Sequence, residues 1–191
     1  MVTKQQRKGD WIETYTGIHF YVLDPKPEDI DIRDITHALS NICRFNGHTR
    51  FHYSVAQHCL NCADYANRIF MDEHIQKYAL LHDASEAYIC DVSRPIKPLL
   101  REYSQIEYDL QSAIYIKFGL PYPQESVLEA LTRVDNEVLM IEAKALMCEA
   151  SWAKEIPAQG LHILRIRPEE AAAEFGKLFR KLFVDMRNYK H

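Results

Sequence analysis

The segment Leu80-Leu81-His82-Asp83-Ala84-Ser85-Glu86 places an imidazole and a carboxylate side by side, directly after the apolar run Tyr78-Ala79-Leu80-Leu81. Ionisable neighbours at the end of a buried helix need a counter-charge, because an unpaired charge is costly in an apolar interior. A divalent cation is one such partner. If the run is helical, Glu86 falls at i+3 from Asp83 and i+4 from His82, so the three groups share a face. A lone His-Asp pair is more often a surface or capping pair, so a metal reading must draw on the rest of the chain.

The rest of the chain sets limits. Its 191 residues, 47% hydrophobic and 11% aromatic, suffice for one domain with its own core. A net charge of -4 argues against a nucleic-acid surface driven by positive charge. No run of 18 or more apolar residues occurs, so no transmembrane helix and no membrane partner are expected. The stretch Met1-Val2-Thr3-Lys4-Gln5-Gln6-Arg7-Lys8 lacks the apolar region of a signal peptide. Five cysteines without framework spacing point to a reducing, cytoplasmic setting. Cys59 and Cys62 form a CxxC inside an amphipathic helical pattern and read as small buried residues rather than a redox or zinc pair.

Along the chain, residues 1–10 read as a frayed polar tail. Trp11–Tyr15 and Ile18–Val22 read as a hairpin over 11–22, joined by Thr16-Gly17 and leaning on a helical body over 31–187. Ile32, Ile35, Leu39 and Ile42 predict a helix over 31–42. Ser54 is a good N-cap for the next helix, which carries His58. Asp72 or Glu73 starts the helix leading to His82-Asp83. The two prolines of Arg94-Pro95-Ile96-Lys97-Pro98 make residues 87–98 an ordered loop. Further helices follow over about 99–118, ended by Gly119 and Pro121, and over about 124–149, which carries Asp135. Pro168 opens the last. The expected class is mostly α with a short N-terminal β-hairpin.

His58, His82, Asp83 and Asp135 therefore lie within or at the ends of separate apolar helical segments. Two imidazoles and two carboxylates match what borderline or hard divalent ions accept, and bundled helices can aim such groups at one point. The order His…His-Asp…Asp resembles the signature of the HD-domain metal-dependent phosphohydrolases. The resemblance is nearest the branch of small 5'-deoxynucleotidases and phage-type deoxynucleoside triphosphohydrolases. Its blocks are Cys43-Arg44-Phe45, Tyr53-Ser54-Val55-Ala56-Gln57-His58, Leu81-His82-Asp83-Ala84-Ser85-Glu86, Asp91-Val92-Ser93-Arg94-Pro95-Ile96-Lys97 and Val134-Asp135-Asn136.

That resemblance implies an HD-domain helical bundle in which His58, His82, Asp83 and Asp135 hold one divalent metal. Cobalt, manganese, iron, nickel and zinc suit the donors, and magnesium is admitted. It implies that Glu86 orients or deprotonates a water, or else bonds a ligand imidazole. Arg44 matches a phosphate-contacting arginine, and Lys97 stands where relatives place a phosphate-contacting lysine. Asp91 matches an acceptor for the sugar 3'-hydroxyl, and His48 matches a pocket residue. Phe45 stands where many relatives have Trp, a departure that bears on selectivity for deoxyribose. The implied activity is phosphate release from deoxynucleoside 5'-monophosphates by a homo-oligomer. The alternatives are triphosphate release from deoxynucleoside triphosphates, a phosphodiesterase, and a non-catalytic nucleotide-binding module. His52 is open between a pocket and a packed position and stays outside the ligand set, and His19, His37, His74, His162 and His191 read as structural or surface residues.

Overall fold

The computed structural model describes residues 7–183. The expectations for residues 1–6, for a last helix reaching 187 and for His191 lie outside them. Seven α-helices and one two-stranded sheet are present among the described residues: β1 (Ile12–Glu13), β2 (His19–Phe20), α1 (Ile32–Asn41), α2 (Val55–Phe70), α3 (Glu73–Leu81), α4 (Glu86–Ile89), α5 (Arg101–Lys117), α6 (Glu125–Leu146) and α7 (Pro168–Phe183). The mostly α class with an N-terminal hairpin is the observed one.

The central element is α2, which packs against α1, α3, α6 and α7. Its sequence explains that position. Ala56, Cys59, Cys62, Ala63 and Ala66 are all fully buried, and such small side chains let neighbouring backbones approach. Ser54 starts the helix with a capping box: its Oγ accepts from Gln57 N at 3.2 Å, and Gln57 Oε1 accepts from Ser54 N at 3.2 Å. The helix closes at Met71, a left-handed residue with φ 52°.

The hairpin is shorter than expected, with Ile12 opposite Phe20 and Glu13 opposite His19. The turn takes up Thr14–Ile18 instead: Thr14 N donates to Ile18 O at 3.0 Å, and Gly17 N donates to Thr14 O at 2.9 Å. Gly17 has φ 84°, open to glycine at little cost. The hairpin does lean on the helices. Asp34, buried on α1, accepts from Thr16 N at 2.7 Å and Thr16 Oγ1 at 2.9 Å, and Phe20 stacks on Tyr88. Arg7, expected in the frayed tail, is instead tied to Asp24 at 2.6 Å and to Asp29 at 2.8 Å.

The centre of interest departs from a continuous helix. Asp72 caps α3, but the helix stops at Leu81, and residues 82–85 form turns closed by Ala84 N to Leu81 O and Glu86 N to Asp83 O, each 3.0 Å. One helical turn, α4, follows where loop was expected. His82 keeps helical backbone angles as the C-cap of α3, and Asp83 follows it on the turn. No helix among the described residues is long and apolar enough to cross a membrane.

Candidate metal centre

α2 supplies His58, the turn after α3 supplies His82 and Asp83, and α6 supplies Asp135. His58 Nε2 is 3.2 Å from Asp135 Oδ1 and 3.6 Å from Asp83 Oδ2; His82 Nε2 is 3.2 Å from the same Asp83 oxygen. The two imidazole rings are 5.2 Å apart. The four expected residues thus come together.

The tautomers follow from the other ring nitrogens. His82 Nδ1 is 2.9 Å from the Ala79 carbonyl, which only accepts, so Nδ1 carries the hydrogen. His58 Nδ1 is 2.9 Å from Glu142 Oε1, a carboxylate, and donates likewise. In the neutral rings both Nε2 atoms are then lone pairs turned towards carboxylate oxygens. His82 Nε2 is buried without a hydrogen-bond partner, despite its nearness to Asp83. Four electron-rich atoms meeting in a buried place call for a positive charge among them, and a divalent cation meets that need.

The electrostatics point the same way. Burial opposes charge on both histidines, and Arg44 opposes it on His58, yet Cys62, Glu142 and Asp135 for the first and Asp83 for the second carry both imidazoles well above their ordinary range. Burial opposes ionisation of Asp83, but His82, His58 and Arg44 hold its carboxyl far below the usual carboxylate range. Asp135 is lowered too, against its own burial, by His58 and His82. Glu86 goes the other way: burial first, then Asp83 and Asp91, raise it well above normal. Its Oε2 is buried without a partner, and Glu86 makes no hydrogen bond to His58 or His82.

Glu142 was not singled out from the sequence. It is fully buried on α6, accepts from Tyr53 Oη at 2.8 Å as well as from His58, and lies 3.5 Å from Arg44 Nη2. The signal was available: Glu142 is seven residues beyond Asp135, two turns along one face, in a stripe with Val138 and Leu146. The cysteines are also closer to the centre than expected. Cys59 and Cys62 are fully buried, as read from the sequence, but ligand atoms of His58, Cys62 and His82 lie within 4.8 Å of one another, as do those of Cys59, His82 and Asp83.

Above the cluster lies a cavity of about 640 Å³, within the range of small-molecule sites. Asp83, Glu86 and Asp135 are in its floor. Arg44, His48, Asp91 and Lys97 line it together with the apolar Phe45, Leu139, Met140, Met147 and Trp152. Every expected substrate-contacting residue therefore borders the cavity; His52 does not. Arg44 is well buried and held by Glu142 and by Asp91 at 3.8 Å, which keep it charged against its burial. Asp91 is raised by burial and by Asp83. Lys97 pairs with Glu107 at 2.7 Å. Phe45 and Asn46 have φ 53° and 50°, a left-handed conformation that non-glycine residues adopt at a cost, and Asn46 Nδ2 anchors the turn on Ser93 Oγ at 2.7 Å.

A buried cluster of histidines and carboxylates under a cavity, on a helical body, defines a class of protein with a candidate metal centre. No protein-family model matches the chain. It is 36% identical over 182 residues, 88% of this chain and 93% of the relative, to the uncharacterized protein RCAP_rcc00048 of Rhodobacter capsulatus, and it belongs to that protein's family. It is also 44% identical over 111 residues to the uncharacterized protein YfdR of Escherichia coli; that match spans 58% of this chain and 60% of YfdR.

Proposed function

We propose that the chain is a divalent-metal-dependent phosphohydrolase acting on deoxynucleoside 5'-monophosphates, with His58, His82, Asp83 and Asp135 as metal ligands. The observation that carries the reading is the convergence of two imidazole Nε2 atoms and two carboxylates beneath a cavity lined by both cationic and apolar side chains. When bound, such an ion supplies Lewis-acid neutralisation of phosphoryl charge and a lowered water pKa.

The chain's own residues would do the rest. Arg44 and Lys97 draw the phosphate to the floor of the cavity, and Asp91 accepts from a sugar hydroxyl. The apolar side chains take the sugar and base, and Phe45 sits beside Arg44, whose guanidinium is 5.5 Å from its ring centre. Glu86 takes a proton from the attacking water as its oxygen bonds phosphorus and the P–O5' bond breaks, and it returns that proton to the departing 5' oxygen. Burial, Asp83 and Asp91 favour its protonated form, while Arg44, Lys97 and a cation held by the four ligands would favour the ionised form that accepts the proton.

The test is a panel of deoxynucleoside mono- and triphosphates with Co²⁺, Mn²⁺ or Mg²⁺, with and without chelator, read by the product released. Inorganic phosphate from the monophosphates, lost with chelator, is the expected result. Triphosphate as the product would replace this reading with triphosphohydrolysis. No turnover by metal-loaded protein would overturn catalysis altogether.

A further inference from the structure

Arg94 sits at the corner of the loop between α4 and the short 3-10 turn Lys97–Leu99. The loop folds back on itself through Ile96 N and Lys97 N, which donate to Ser93 O at 3.0 and 3.2 Å. Ser93 is in turn fastened to Asn46. Arg94 is thus the second residue of a hydrogen-bonded turn followed by Pro95, so its side chain leaves a fixed base. It crosses to α6, where Nη2 meets Asp135 Oδ2 at 3.0 Å and Nη1 meets Asn136 Oδ1 at 2.8 Å.

Asp135 is thereby divided. Its Oδ1 faces His58 and its Oδ2 faces Arg94. A carboxylate held at one oxygen presents the other to a ligand site in a single orientation. Arg94 also borders the cavity, and its side chain remains 62% exposed. A guanidinium has five N–H donors, and two are used here. The other cations of the cavity are more committed: Arg44 is buried between two acids, and Lys97 is bound to Glu107.

We propose that Arg94 is a bridging residue, fixing Asp135 through one edge and taking a substrate phosphate oxygen with its remaining donors. Metal site and phosphate site are then joined through one side chain. This rests on the phosphate-binding part of the function proposed above, but its test does not need turnover.

Inorganic phosphate is titrated calorimetrically into Co²⁺-loaded wild type, Arg94→Gln and Arg94→Lys, and cobalt affinity is measured in each by chelator competition. Arg94→Gln is expected to bind phosphate about tenfold more weakly while keeping its cobalt, the loss of one charge-assisted contact. Arg94→Lys should recover part of that loss. The visible spectrum of bound cobalt should shift in Arg94→Gln, because Asp135 loses its second anchor. Unchanged phosphate affinity in Arg94→Gln, a weakening matched by lost cobalt, or no phosphate binding by wild type would overturn the phosphate role. An unchanged spectrum would overturn the hold on Asp135. Turnover of the deoxynucleotide panel judges the hydrolase reading separately.

Discussion

His58 and Arg94 both bring a nitrogen to Asp135, at 3.2 and 3.0 Å, from opposite kinds of structure. His58 is fully buried in the second turn of α2, its far nitrogen fixed by Glu142, itself fully buried. Arg94 stands on an irregular loop with most of its side chain in solvent. The floor of the cavity is built on α2, α6 and the turn between α3 and α4, which are packed into the core. The rim, made of residues 45–50, 92–97 and 147–152, is held by bonds such as Asn46 to Ser93, Arg50 to the Cys148 carbonyl and Arg50 N to Leu146 O. A preorganised floor suits a task that needs fixed geometry, and a lightly tethered rim suits one that admits and releases a ligand.

This contrast predicts effects that shrink from floor to rim. Asp83→Ala removes the carboxylate shared by both imidazoles, and metal content after dialysis and turnover should both fall to background. Full metal retention would break the assignment of the floor. Glu142→Ala leaves Tyr53 and His58 without their buried acceptor and Arg44 short of an acid. It should cost roughly 3–5 kcal/mol in unfolding and lower metal affinity by about ten- to a hundredfold. Denaturant melts and metal competition read both; a stability within experimental error of wild type would mean that Glu142 is no anchor.

Glu86→Gln separates chemistry from ligation. Turnover should drop by about a hundred- to ten-thousandfold with metal retained. The metal-free variant carries a further, opposite signature. Because Glu86 is raised in the folded state, its contribution to stability is present below the ordinary carboxyl range and lost as pH rises through the shifted value. Glu86→Gln should therefore be more stable than wild type on the alkaline side of that transition, and thermal melts of metal-free protein across pH would show it. At the rim, Trp152→Ala should raise KM by only about three- to tenfold, the value of one lost aromatic contact, with kcat unchanged. A larger fall in kcat would place Trp152 in the floor's work and blur the distinction.

The floor was also the more legible part of the chain. Ser54 announces α2 by its capping chemistry, Asp31 and Asp72 announce α1 and α3, and His58, His82, Asp83 and Asp135 stand out because they interrupt apolar patterns. Glu142 could have been read by the same rule and was not, since a glutamate on a long helix is usually solvated. The turn at 82–85 was less readable, because nothing in Leu81-His82-Asp83-Ala84 breaks a helix by local propensity.

What the sequence determined alone was local: periodicity, caps and turn residues depend on neighbours a few positions away, and these name the helices and the ionisable groups on them. Tertiary structure decided the rest. Which oxygen of Asp135 faces the imidazoles, which nitrogen of each histidine carries its hydrogen, and how Trp152 comes to share a cavity with Arg44 all depend on contacts between distant segments. Such contacts form only when burial brings those segments together, and no short-range pattern records them.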